Sequence, residues 1–478
     1  MNTSIRAVKQ NTATRPKVLI VGGGLAGLAA AENLAGKSRN HFEIQLLEAK
    51  RTTGGRAGSF QDNRTGGTVD YCQHVAMGCC TNFLGLLERQ GLDGYLHRYT
   101  RLKFLHPDYS ESTFKPSRWL PAPFHLLPAL AGLRFLNRTQ RRQIKYALFR
   151  LFRQASSELD DAVAGVWLRA NGQDETTIND FWSVIVVSAL GESIERVSLA
   201  AARKVFVDGF AAARGASDVL VPKLPLIKLI GGHLAEAIEQ QGVDIKTGQV
   251  VRKIAHDGKS ALISTADGVT HHADHVVVAV PWHAVGDLLP DGTLKHVDRF
   301  TDAPSSPISG LHLWFDRQIT DLPHAVMVGT MAQWVFRQPW VDEQAAEGFY
   351  YQVVISASQS ARRLSRPQLI EQVIAELRHA FPLARKAKLL ESKVVTDPKS
   401  VFSISPQFEA IRPSARTAQP WLHLAGDWIS TGWPATMESA VISGGMAASS
   451  ILASEFGQKE GLNSGLPRNW LTRLLIKP

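Results

Sequence analysis

The chain has 478 residues, of which 44% are hydrophobic and 20% charged, and its formal net charge is +10. At about 150 residues per domain this length gives roughly three structural units, or two with one built from separated segments. The composition excludes a globally disordered chain. No apolar run reaches the roughly 18 residues of a spanning helix, and the polar first residues lack the apolar stretch of a secretory signal. We therefore expect a cytoplasmic protein that does not span the membrane.

The earliest motif is a glycine-rich turn between a strand and a helix. Residues 17–21 (KVLIV) form a β-branched run typical of a buried parallel strand, and residues 22–27 (GGGLAG) lead into a small-residue helix. In a G-x-G-x-x-G turn, the first glycine permits the tight turn, the second lets a pyrophosphate approach, and the third lets helix and strand pack closely. The residues predicted to contact the phosphates are Gly22, Gly24, Leu25, Ala26 and Gly27.

A second predicted strand, residues 42–47, ends at Glu48. An acid at that position accepts a hydrogen bond from a ribose 2′-hydroxyl, which favours FAD or NAD over NADP. The small residues Gly54 and Gly55 follow, and then the cation Arg56. Small residues allow a phosphate to approach and a fixed cation offsets its charge.

The C-terminal region of the chain repeats this strand–turn–helix pattern. Residues 421–425 (WLHLA) predict a buried strand that runs into Gly426 and Asp427, and a small-residue helix begins near Met437 with Thr436 as a plausible N-cap. A helix N-terminus that points at a flavin stabilises negative charge on the reduced ring.

These motifs together resemble the flavin amine oxidase and phytoene desaturase superfamily. The resemblance implies that Gly54-Gly55-Arg56 lies beside the FAD pyrophosphate, that the Ala-Gly-Asp segment ending at Asp427 closes the FAD site, and that the pair Val250–Val251 presents its backbone to the adenine. It implies an α/β fold with a discontinuous Rossmann-like FAD-binding domain and an inserted α+β substrate domain, to which the charge pattern described below adds a helical segment expected to associate with the membrane.

Three longer segments, residues 54–60, 69–75 and 425–440, resemble the squalene-associated FAD-dependent desaturases, also described as hydroxysqualene dehydroxylases. This resemblance implies non-covalent FAD and reductive dehydroxylation of hydroxysqualene to squalene in hopanoid biosynthesis. NAD(P)H, as a transient reductant, or a separate reductase would supply the electrons. The alternatives are a desaturase of a carotenoid or another polyprenoid, an amine oxidase, and an inactive FAD-binding scaffold.

The predicted dehydroxylation needs a proton donor for the leaving hydroxyl. We predict His74 as that donor, with Gln73 of similar standing, because the resemblance carries this segment past the isoalloxazine and histidine titrates near neutrality. A buried histidine that fixes a turn is the alternative. We expect Asp70 to support the loop and Glu438 to serve a helix dipole.

The excess positive charge is concentrated in one segment. Residues 112–157 contain nine basic residues and no acidic one, and residues 461–478 are also free of acids. In the helix predicted over 139–156, one face is apolar and the other basic, which is typical of an interfacial membrane helix or of a helix packed on the protein. Residues 469–477 predict a second, smaller anchor. Because no recognition motif accompanies the cations, we expect no nucleic-acid partner.

We therefore predict a protein peripheral to the inner face of the cell membrane, with an isoprenoid substrate and upstream enzymes of squalene synthesis as partners. The predicted FAD-binding domain is assembled from three segments, 17–100, 221–290 and 401–456. Between them we expect a helical basic region for substrate and membrane contact (101–220) and a substrate sheet (291–400). A flexible N-terminal tail (1–16) and a basic C-terminal tail (457–478) complete the predicted organisation.

Overall fold

The structure is a computed structural model that describes residues 15–38, 41–63, 66–295, 297–338, 348–457 and 461–477. The predicted N-terminal tail therefore lies almost wholly outside the described residues. A five-stranded parallel sheet combines strands from three separated regions of the chain. Its strands, in spatial order, are Asp244–Thr247, Glu43–Glu48, Lys17–Val21, His275–Val278 and Leu422–Leu424. The predicted α/β fold with a discontinuous nucleotide-binding sheet is thus confirmed.

Two small-residue helices, Leu25–Ser38 and Met437–Phe456, pack against each other beside this sheet. A Cβ atom at Gly444 would lie 2.2 Å from the carbonyl oxygen of Ala26, so the helices approach closely only because glycine stands there. This contact joins the N-terminal and C-terminal ends of the chain into one core.

A seven-stranded mixed sheet forms the second layer of the molecule. Its strands, in spatial order, are Leu389–Phe402, Ser305–Phe315, Phe349–Ile355, Trp334–Arg337, His324–Met327, Leu102–His106 and Tyr109–Phe114. The last two strands form a hairpin from the region predicted as helical (101–220). They join the sheet edge through the parallel pairing of Leu102–His106 with His324–Met327, a non-local contact that local pattern does not reveal.

The remaining strands form three small sheets. These are the pair Ser59–Gln61 and Thr68–Asp70, the sheet Ala76–Met77, Val219–Pro222 and Leu96–Tyr99, and the antiparallel sheet Val251–His256, Ala261–Thr265 and Thr270–Ala273.

Helices join the two layers and cover them. The further α-helices are Thr81–Arg89, Leu127–Ala131, Arg138–Arg153, Ala164–Ala170, Glu175–Thr177, Val184–Leu190, Leu199–Phe206, Ala235–Glu239, Val297–Thr301, Arg366–Ala380, Pro406–Glu409 and Trp470–Leu475, with π-helical turns at Ile178–Ser183, Val207–Ala211 and Ile227–Leu234. Among the helices of the described residues, none combines the length and the apolar composition needed to cross a lipid bilayer.

The basic helix spans Arg138–Arg153, close to the predicted 139–156, and Asn137 caps it in a reciprocal capping box with Gln140. Its apolar face is buried, since Ile144 and Leu151 belong to the main hydrophobic core. The alternative in which this face packs on the protein is therefore the one observed, and the apolar face predicted for lipid contact is not available to lipid.

Candidate functional site

The glycine turn lies between the strand Lys17–Val21 and the helix that begins at Leu25. Gly22 has a φ of +110°, and a Cβ there would lie 2.7 Å from the carbonyl oxygen of Ala279. A Cβ at Gly27 would lie 1.9 Å from the carbonyl oxygen of Gly22. Both positions therefore require glycine for steric reasons, as the motif predicts.

Glu48 ends its strand beside this turn and is buried. Its carboxylate accepts hydrogen bonds from the backbone N–H of Gly23 at 2.6 Å and of Lys50 at 2.8 Å. The backbone N–H of Gln249 donates to the Glu48 carbonyl at 2.9 Å, two residues before Val251, the residue predicted to face the adenine. The predicted adenosine-binding residues thus lie together.

The second glycine pair packs directly against the first. The Gly54 N–H donates to the Gly23 carbonyl at 2.8 Å, and Gly24 and Gly54 form an isolated parallel bridge. A Cβ on Gly55 would lie 3.1 Å from the Gly24 Cα, whereas one on Gly24 would meet nothing nearer than 3.9 Å. The space beside the Gly24 backbone is therefore open, and this cradle lets a phosphate group approach the backbone closely.

Arg56 connects the two ends of the chain. Its Nη2 donates to Asp427 Oδ1 at 2.5 Å, and its Nη1 donates to the Ser400 carbonyl at 2.8 Å. Asp427 is buried and follows Gly426, whose φ of +145° excludes other residues. The cation and the acid predicted to flank the cofactor are therefore in direct contact.

The helix Met437–Phe456 begins at Thr436, whose side chain caps it by accepting from the Ser439 N–H. Glu438 points away from this helix terminus. Its buried carboxylate accepts from the backbone N–H groups of Asn82 at 2.9 Å and Phe83 at 2.8 Å. It thus caps the helix Thr81–Arg89, and burial raises the pKa of this carboxyl. Glu438 serves a helix dipole, but that of a neighbouring helix.

His74, the predicted proton donor, and its neighbour Gln73 are placed differently relative to the apolar cavity. The His74 Nδ1 lies 2.9 Å from the Cys72 carbonyl, so this nitrogen carries a hydrogen and the neutral ring leaves Nε2 as an acceptor. Burial lowers the pKa of His74, so its ring is less often protonated near neutral pH and less often has a proton to donate. Gln73 lines the apolar cavity described below, whereas His74 does not. The catalytic role of either residue stays a prediction.

Asp70 is completely buried below this segment. Its Oδ1 accepts from the Ser59 hydroxyl at 2.5 Å and from the Leu226 N–H at 2.9 Å, which ties the loop together as expected. Its Oδ2 has no hydrogen-bond partner among the described residues. Burial raises the pKa of this carboxyl to about 7 from its ordinary 3.8.

Asp70→Asn should make stability less dependent on pH. Because the folded-state pKa is raised, the contribution of Asp70 to stability is full below its unfolded pKa and is lost as pH rises through about 7. A neutral amide does not ionise. Between pH ~5 and pH ~8 the free energy of unfolding should therefore fall by about 2–3 kcal/mol less in the variant than in the wild type. Urea unfolding at both pH values measures this. Asp298→Asn, at an exposed position, is the control. If Asp70→Asn loses as much free energy of unfolding between the two pH values as the wild type does, Asp70 is not the group with the raised pKa.

A cavity of about 210 Å³ opens beside the C-terminal segment and is lined mainly by aromatic and aliphatic side chains. Phe114, Leu133, Phe135, Phe181, Phe210 and Trp334 are among them. At one end it reaches Trp433 and Met437, where the flavin is predicted. Sequence reasoning did not find this lining because it comes from strands and helices that are distant along the chain.

Lys204 is the one basic side chain among the described residues that line this cavity. Its Nζ lies 4.8 Å from the centre of the Trp433 ring and 3.0 Å from Asp208 Oδ2. Asp208 is held in turn by Arg468 at 2.8 Å. An ammonium group thus stands at the end of an apolar cavity where the flavin is predicted. The sequence carried no signal for this residue.

The glycine turn, the buried acid and the cradle on a parallel sheet define a site that binds a dinucleotide, either FAD or NAD. The chain belongs to the family of flavin containing amine oxidoreductases, whose family model matches residues 25–452. FAD is therefore its cofactor, and the open cradle and the charged Arg56–Asp427 pair fit that group.

Curated relatives share about a quarter of their residues with this chain. The hydroxysqualene dehydroxylase of Zymomonas mobilis is 25% identical over 91% of this chain and 98% of its own. The 15-cis-phytoene desaturase of Solanum lycopersicum is 25% identical over 92% of this chain and 78% of its own. Among solved structures, cyclohexylamine oxidase from Brevibacterium oxydans covers 93% of this chain and 100% of its own with a TM-score of 0.69 and 17% identity. The last comparison supports the fold alone.

Proposed function

We propose that this protein removes the hydroxyl group of hydroxysqualene reductively and releases squalene and water. The observation that carries the proposal is the apolar cavity with a single ammonium group, Lys204, beside Trp433. A long hydrocarbon suits this mainly apolar lining, and Lys204 offers a proton donor to its one polar group. The similarity to the hydroxysqualene dehydroxylases of Zymomonas mobilis and Sinorhizobium fredii supports it.

The chemistry divides between the cofactor and the chain. Reduced FAD, when bound, supplies a hydride. The Lys204 ammonium donates a proton to the allylic hydroxyl, so that the carbon–oxygen bond breaks with its electron pair on oxygen and water leaves. The face of Trp433 stabilises positive charge on the substrate carbon, and the apolar walls keep bulk water away from it. NAD(P)H or a separate reductase provides the electrons, and enzymes that build squalene precursors provide the substrate.

A desaturase of a carotenoid or another polyprenoid is the second candidate, supported by the similarity to phytoene and zeta-carotene desaturases. It would use the same apolar cavity in the oxidative direction. A pure hydrocarbon offers nothing for the Lys204 ammonium to protonate, which favours the dehydroxylase. An amine oxidase is less well supported, because the cavity lining is mainly aromatic and aliphatic, and no amine oxidase is among the curated relatives compared above.

Product analysis separates these functions. The purified protein is incubated without oxygen with hydroxysqualene and a chemical reductant, and in parallel with phytoene and a quinone acceptor or with an amine and oxygen. We expect squalene from the first mixture and no product from the other two. Desaturated phytoene, or an aldehyde from the amine, without any squalene would overturn the proposal. No product from any mixture by a flavin-loaded protein would favour the inactive scaffold.

A further inference from the structure

Large hydrophobic side chains stand exposed on three neighbouring elements outside the cavity. Trp119 is 93% exposed and Trp470 is 74% exposed. The full set, which we call the basic aromatic face, comprises Trp119, Leu120, Phe124, Leu127, Tyr146, Phe149, Trp470 and Leu474 with the cations Arg142, Lys145, Arg150 and Arg473. Exposed apolar side chains in such a concentration mark an interaction surface.

Direct hydrogen bonds hold these elements together. The side chains of Asn469 and Thr472, on the C-terminal helix, donate to the Ala122 carbonyl at 3.1 and 3.2 Å. The backbone N–H of Lys477 donates to the Phe152 carbonyl at 2.9 Å, which fixes the tail to the basic helix. The loop, the basic helix and the tail are therefore direct neighbours in the fold.

The positive charge of this surface favours a negatively charged partner. Segments 112–157 and 461–478 contain no Asp or Glu. Arg468 and Lys477 pair with Asp208 and Glu158 from other segments, whereas the four cations of the basic aromatic face are exposed to solvent. Aromatic side chains favour the boundary between headgroups and acyl chains, and cations favour anionic phosphates. Protruding leucines such as Leu120 suit lipid and do not suit a nucleic acid.

The same surface borders the cavity. Leu133 and Phe135 line the cavity just before the basic helix begins at Arg138. The turn Val207–Ala211 lines it through Phe210 and packs on its other side against Ile476 of the tail. An apolar chain that leaves a bilayer at this surface would reach the cavity past apolar side chains.

We propose that the basic aromatic face docks on an anionic lipid bilayer and that the substrate enters the cavity from that bilayer. The contact differs from the predicted amphipathic one, because the outer aromatic and basic side chains touch lipid while the apolar face of the basic helix stays in the core. The docking rests on the exposed side chains alone, whereas the entry of substrate also rests on the proposed function.

Vesicle co-sedimentation of the full flavin-loaded chain tests the docking. At low salt we expect retention on vesicles of phosphatidylglycerol and phosphatidylcholine in equal amounts, and at least tenfold weaker retention on phosphatidylcholine alone. The double substitution Trp119→Ser/Trp470→Ser and the triple substitution Arg142→Gln/Lys145→Gln/Arg150→Gln should each weaken binding to the anionic vesicles at least tenfold. The matched control, Val269→Ser/Leu383→Ser, removes exposed apolar side chains elsewhere and should bind as the wild type does.

Flavin content and melting temperature verify that each variant is folded. Wild-type protein that is not retained at low salt, or Trp119→Ser/Trp470→Ser retained as well as the wild type, would overturn the docking. Binding needs no turnover, so failure of the proposed reaction leaves this result intact. Entry from the bilayer is tested by turnover of vesicle-borne substrate, which the double variant should slow while its turnover of detergent-dispersed substrate stays unchanged. Equal turnover on vesicles would overturn the entry route.

Discussion

Lys204→Met should lower the rate of squalene formation by about 10²–10⁴-fold, the range that a positioned general acid contributes. Methionine keeps the length and apolar stem of the side chain but donates no proton. Asp208 keeps its second partner, Arg468, so the fold should survive the change. Single-turnover rates with chemically reduced protein and hydroxysqualene measure the effect, and flavin content should match the wild type.

Two further substitutions identify what Lys204 does. Lys204→Arg keeps the positive charge and the ion pair with Asp208 but is a far weaker acid, so substrate binding should persist while turnover stays slow. His74→Gln tests the donor predicted from sequence, and any loss should be smaller because His74 does not line the cavity. A Lys204→Met variant that turns over at more than half the wild-type rate would remove Lys204 from the mechanism. A larger loss in His74→Gln than in Lys204→Met would restore His74 as the donor.

Gly22→Ala should yield a protein that is purified without bound flavin. The new Cβ would lie 2.7 Å from the Ala279 carbonyl oxygen, at a φ of +110° that L-residues rarely adopt. Backbone strain and overpacking together cost about 2 kcal/mol or more. If the turn relaxes to relieve this strain, FAD binding has to restore the strained turn, so it weakens by at least roughly thirtyfold. Visible absorbance of the purified protein and titration with FAD measure this.

Gly36→Ala is the matched control for that experiment. It lies on the helix that follows the glycine turn, and its Cβ would approach only the Gln241 side chain at 3.8 Å. This variant should keep its flavin and should be as stable as the wild type or more so, since alanine favours helix over glycine. Full flavin content in Gly22→Ala would contradict the placement of the cofactor at this turn.

The nucleotide-binding half of the fold could be predicted because its signals are local. The strand Lys17–Val21 has the bounds that its β-branched run predicts, and the cap at Thr436 follows from a short stretch of sequence. The spatial meeting of the two ends came instead from the family resemblance. The hydrogen bond from Arg56 to Asp427 is one of the contacts that join the two ends in the structure.

The substrate half could not be predicted in the same way, because its contacts are non-local. Lys204 and Trp433 are in contact although most of the C-terminal half of the sequence separates them, and no spacing rule relates the two positions. Glu438 caps a helix that begins at Thr81, far from its own. The amphipathic pattern of the basic helix was equally compatible with the protein core and with lipid, because both bury an apolar face. Only packing distinguished the two.

Anaerobic mixing of the reduced protein with hydroxysqualene tests most directly the claim that one flavin works beside a hydrocarbon cavity. Flavin absorbance and squalene are followed in the same sample. We expect the flavin to become oxidised in a single phase while one squalene forms for each flavin. Flavin that stays reduced in the presence of excess hydroxysqualene, or becomes oxidised without squalene, would contradict the account.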